Sequence, residues 1–151
     1  MMGMEEGMKY RASLDQVMAW RPCDEYSRED IKKLFGRRKY VDVGYILSLD
    51  IPSADKIWAC CHKEMFPTKT LRLLACDFAQ HVLKYFETEY PDDKRPRNAI
   101  KVVRRYANGK ATEQERDAAM DAARDAEHKY QIGRIKRAWG EMKEGVQHLE
   151  K

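Results

Sequence analysis

Helix-breaking residues are scarce in this chain. It has 8 Gly and 5 Pro in 151 residues, few for a β-sandwich or barrel that must turn every ten residues or so. Cysteine is scarce too, at 4 residues. Cys60 and Cys61 are adjacent and the chain lacks the loop-rich character of a small secreted scaffold. Cys23, Cys60, Cys61 and Cys76 therefore read as reduced thiols, not a disulfide framework. No apolar run approaches the length of a membrane span, and the opening MMGMEEGMKY has no apolar h-region. The expectation is a soluble, cytoplasmic protein with no membrane partner.

Catalytic signatures are missing as well. The chain has no Gly-rich phosphate loop, G-x-S-x-G or H-E-x-x-H. The run Cys60-Cys61-His62 invites a metal reading, but successive helical residues point about 100° apart and three in a row cannot converge on one ion. No C-x-x-C or H-x-x-x-H spacing supports it. Asp77 and His81 lie four apart on one helix face and read as a surface hydrogen-bonded pair. Cys76 follows Leu73-Leu74-Ala75 on an apolar helix, where a thiol behaves as a small hydrophobe. No enzyme, no metal and no cofactor are expected.

What the chain does have is charge, 36% of its residues, arranged at helical spacing. At this length one domain is expected, an all-α bundle of six to seven helices over 11–151 after a disordered start over 1–10. Ser13 can cap a short helix through Trp20, closed by Arg21-Pro22. Ser27 and Asp30 resemble a capping box for a helix to about Phe35, with Gly36 just past its end. Residues 40–49 fit both a strand and a helix. With no second convincing strand to pair with, a short helix is favoured. Another helix is expected from Ala54 to about Glu64, with Ile57, Trp58 and Cys61 inward.

The spacing then predicts a long helix over 68–89, with Leu71, Leu74, Ala75, Phe78, Val82 and Phe86 facing the core. Asp92-Asp93 precede a helix whose Pro96 sits in the first turn. Ile100, Val103 and Ala107 face inward there, and Asn108-Gly109 stops it. Thr112 and Glu115 form a capping box for the last helix. That helix carries a thin stripe, Ala119, Ala122, Ala123 and Ala126, and then a bulky near-heptad one, Ile132, Ile135, Trp139, Met142, Val146 and Leu149. The two do not line up, and a bend, a break or a change of packing partner is expected at Gly133. A homodimer through 132–149 is left open.

Between Asp92 and Lys110 lie seven basic and two acidic residues. Arg97, Lys101 and Arg104 fall at i, i+4 and i+7 along one side of a helix, with Lys94, Arg95 and Arg105 beside them. Such a row can grip an acidic protein surface or phosphates, or can be a solvated face paired with carboxylates of the last helix. Aromatic rings do not interleave with it, which lowers the nucleic-acid reading. These six cations are the candidate partner-binding residues.

Over Leu71–Ala126 the chain resembles a family of small helical immunity proteins from polymorphic toxin systems, with related domains in phage and prophage genes. The resemblance rests on Leu71-Arg72-Leu73-Leu74-Ala75-Cys76 with Ala79, Arg95-Pro96-Arg97 leading into Ala99-Ile100, Gly109-Lys110-Ala111-Thr112, Ala118-Ala119 and Ala122-Ala123. Cys23 and Leu47 through Trp58 fit it more loosely. It implies a bacterial or phage source and a non-catalytic fold that blocks a toxin or effector by binding it. The alternative is a phage-borne binder of nucleic acid, or of a nucleic-acid complex, acting against host defence.

Overall fold

A computed structural model describes residues 9–149, with side chains described as far as residue 145. The expected disordered start falls almost entirely on residues 1–8, outside the described residues. The described residues form seven helices and one two-stranded sheet, so the fold is all-α. Among them no helix is long and apolar enough to cross a membrane. The chain divides into two compact units, residues 1–71 and 72–151.

Unit 1 opens with β1 (Ala12–Ser13) and α1 (Leu14–Ala19). Ser13 accepts the Gln16 amide proton at 3.3 Å and its own amide donates to the Gln16 side chain at 2.8 Å. Arg21 takes φ +58° ahead of Pro22, turning the chain toward α2 (Arg28–Phe35). The Ser27–Asp30 capping box is present in both directions, at 3.2 and 3.0 Å. Gly36 follows with φ +60°, a conformation that favours glycine.

The ambiguous segment divides between both readings. Tyr40–Val41 is a strand, β2, and Asp42 then caps α3 (Val43–Ser48) by accepting the Tyr45 amide proton at 2.8 Å. The strand's partner is β1, antiparallel, with Ala12 opposite Val41 and Ser13 opposite Tyr40. That partner is two residues long, too short to leave an alternating pattern in the sequence.

Helix α4 spans Ser53–Cys60 and ends earlier than expected. Its inward residue is Cys60, with Ala59 half-buried, whereas Ile57, Trp58 and Cys61 are exposed. Ala12, Val17, Ile31, Phe35, Val41, Ile46, Cys60 and Met65 form the core of this unit.

Unit 2 holds most of α5 (Thr68–Glu89), α6 (Arg95–Ala107) and α7 (Glu113–Leu149). The buried residues of α5 are Cys76, Leu83 and Phe86. Phe78 and Val82, expected inside, are 50% and 53% exposed. The covered face is thus turned from the expected one by about one residue step, roughly 100°. Apolar side chains surround much of this helix, and periodicity alone cannot say which part the neighbours will cover.

Helices α6 and α7 pack on each other, with Ala99, Ile100, Ala119 and Ala126 buried. Gly109 takes φ +71° at the end of α6. The Thr112–Glu115 box opens α7 at 2.7 and 3.1 Å. At Gly133 the helix runs on without a break. A Cβ there would sit 2.7 Å from the Tyr90 hydroxyl, so any larger residue would have to displace that side chain. Tyr90 is held in a ring cluster with Phe86 and Tyr130, centroids 5.3 and 6.0 Å away.

Two variants test this packing by urea unfolding. Ala126→Leu puts three heavy atoms where alanine is 1% exposed and should cost about 1–3 kcal/mol. Ser27→Ala should cost about 1 kcal/mol through loss of the cap.

Candidate functional site

The candidate cations sit on α6 and the turn before it, and most are engaged within unit 2. Arg97 donates from Nε and Nη2 to the two oxygens of Glu87 on α5, both at 2.7 Å. Arg104 donates to Asp77, also on α5, at 2.7 Å. Arg95 grips Asp93 at 2.9 and 2.6 Å, and Asp93 accepts the Arg95 amide proton as well. Lys94 and Arg105 donate to the backbone carbonyls of Pro91 and Lys110, at 2.6 and 2.9 Å.

Lys101 is exposed, and no ion pair involves it among the described residues. The carboxylates that answer α6 therefore come from α5 and the loop, whereas the sequence had pointed to the last helix. The guanidinium groups remain wet: the side chains of Arg95, Arg97 and Arg104 are 40%, 42% and 35% exposed. Three cations are locally neutralised by ion pairs; Lys94, Lys101 and Arg105 form none among the described residues.

These pairs shift the carboxyls in the expected direction. The Arg97 hydrogen bond holds Glu87 below the usual range. The Arg95 hydrogen bond brings Asp93 down to about 2. Arg95 and Arg97 rise correspondingly, through the same hydrogen bonds.

Tyr106, on the flank of α6, receives two cations on its ring. The guanidinium carbons of Arg72 and Arg116 lie 4.9 and 4.6 Å from its centroid. Both pack against it as cation–π neighbours.

Nothing here assembles into a catalytic centre. Asp77 bonds Arg104, and no hydrogen bond joins it to His81 among the described residues; the expected surface pair is replaced by a cross-helix ion pair. Cys76 donates weakly to the Ile100 carbonyl at 3.9 Å, and burial pushes its thiol up. Cys60 is buried and Cys61 exposed. His62 stacks on Trp20 with centroids 3.9 Å apart, so the Cys-Cys-His run diverges. Among the described residues no group of three or more His, Cys, Asp or Glu is placed to share an ion.

Two apolar surfaces escaped the sequence reading in part. One is a groove of about 380 Å³ between α5, α6 and α7, lined by Val82, Tyr85, Pro96, Ala123 and Tyr130 among others. Its signal was the excess of apolar residues on α5 over what one stripe requires. The other is the second stripe of α7. Ile132, Ile135, Trp139 and Met142 are 52–64% exposed and lie roughly opposite the buried alanines when the helix is wound at about 100° per residue. Val146 and Leu149 fall outside the residues whose side chains are described.

The Asp93–Arg95 pair makes the acid limb of stability testable. A carboxyl lowered from 3.8 to about 2 stabilises the fold at pH above its unfolded value. That contribution is lost as pH falls from about 4 through about 2. Asp93→Asn should remove about 1–2 kcal/mol at pH 6 and flatten the loss between pH 4 and 2, as followed by urea unfolding at several pH values.

Among curated proteins and solved structures, none matches the chain. A family model, Imm-5 like putative immunity protein, matches residues 63–138. That span takes in α5, α6 with all six candidate cations, and α7 past Gly133. The chain belongs to this immunity protein-like family.

Proposed function

We propose that the protein acts as an immunity-type binder, blocking a toxin or effector stoichiometrically and without a catalytic step of its own. The docking face is α6, with Lys94, Arg95, Arg97, Lys101, Arg104 and Arg105 meeting an acidic protein surface. Family membership is the observation that carries this reading. The geometry adds a division of labour. Arg97 and Arg104 are held by α5 carboxylates with guanidinium N–H groups still facing water, so little side-chain freedom remains to be lost on docking. Lys94, Lys101 and Arg105 supply the net charge that steers encounter.

The test uses a partner isolated by affinity capture. Lys94→Glu/Lys101→Glu/Arg105→Glu spares the α5–α6 ion pairs but removes the Lys94 and Arg105 bonds to the Pro91 and Lys110 carbonyls, so it should lower the urea midpoint yet remain folded at the temperature of the binding assay. Its association rate at low salt should fall by about tenfold or more. An unchanged rate would remove the face from the mechanism.

A second reading, of assembly, is favoured by the exposed stripe Ile132, Ile135, Trp139 and Met142. Two copies pairing there in parallel would place Lys136 and Lys143 beside the partner's uncharged Gln131 and Ala138, whereas antiparallel pairing sets Lys136 against Lys143. Sedimentation equilibrium should then show a reversible dimer that Ile135→Asp/Trp139→Asp abolishes. A protein monomeric at every concentration would exclude this reading.

A further inference from the structure

Unit 1 contains a hollow that the immunity reading does not use, and its lining residues lie between 17 and 59, before the matched span. The hollow measures about 330 Å³. Its walls include Ile31, Phe35 and Ile46, three buried core residues. The mouth is marked by lining residues that are themselves exposed, Cys23 and Trp58. Protein interiors are normally filled to crystal-like density. At about twice the ~150 Å³ of a cavity known to accept benzene, and open at its mouth, the space is large enough for a small ligand.

One charged residue lines this space, Asp55. The Tyr26 hydroxyl donates to its Oδ2 at 2.7 Å, and no ion pair engages it among the described residues. The neighbouring Lys56 turns away and donates to the Leu47 carbonyl at 3.0 Å. A carboxylate set in an apolar wall, without a cation of its own, is complementary to a ligand that brings one. Aromatic residues share the lining with it, Tyr26, Phe35 and Trp58 among them, and an aromatic wall favours an ammonium over a carboxylate.

We propose that the hollow is a binding site for a small apolar amine of about a dozen non-hydrogen atoms, scaled from the benzene cavity, with its ammonium on Asp55 and its hydrocarbon body against Ile31, Phe35 and Ile46. An acid of the same shape is disfavoured by like charge.

Tryptamine and 3-indolepropionate, which share a ring and differ in the sign of the terminal charge, are the probes for the full chain. Tryptamine should raise Tm in a concentration-dependent way and bind about tenfold or more tightly than the acid in calorimetry. Asp55→Asn should remove that preference. Tyr26→Phe, which releases Asp55 from its hydroxyl partner, should keep it, so a folding defect in one variant does not decide the matter. Amide shifts should concentrate at Ile31, Phe35, Ile46 and Trp58. Absence of any response to millimolar tryptamine would overturn the proposal, as would equal affinity for the acid or full binding by Asp55→Asn. None of these outcomes depends on the α6 face.

Discussion

Close approach of α6 and α7 is the constraint on which the family-matched unit rests. Helix backbones come near one another only where side chains are small, and the buried residues of these two helices include Ala99, Ala119 and Ala126. Every other feature of the unit follows from that seam. With α6 drawn against α7, its polar side meets the carboxylates of α5. Gly133 extends the same logic one step further, since the Tyr90 hydroxyl occupies the space beside it that a Cβ would enter. Small residues here are a packing device, and their scarcity of hydrophobic mass is offset by the ring cluster of Phe86, Tyr90 and Tyr130.

The same geometry changes what the cationic row means. Counted along the sequence, seven positive charges against two negative ones suggest a strong local field. In three dimensions, Glu87 and Asp77 approach from α5 and, with the adjacent Asp93 already in that count, cancel three of them. What remains is a mosaic of fixed, half-exposed guanidinium groups with a modest excess of charge.

The two units pose different physical questions. Unit 2 is built from long helices, and its apolar excess appears on the surface, at Phe78, Val82 and Tyr85 and along the second stripe of α7. Unit 1 is built from short helices closed by caps and a two-residue β bridge, and its irregularity appears inside, as a hollow beside Asp55.

Local signals were legible from the chain alone. Ser13, Ser27 and Thr112 each place a helix start through a hydrogen bond spanning three residues, and Pro22, Pro91 and Gly109 place the stops. These interactions need no distant partner, so the one-dimensional pattern determines them, and with them the all-α character. Which face of α5 is covered, which carboxylates answer Arg97 and Arg104, and which two residues pair with Tyr40–Val41 were settled only in the tertiary structure. Each depends on groups 10 to 29 positions apart in the chain, whose meeting is decided by packing and leaves no periodic trace in either segment.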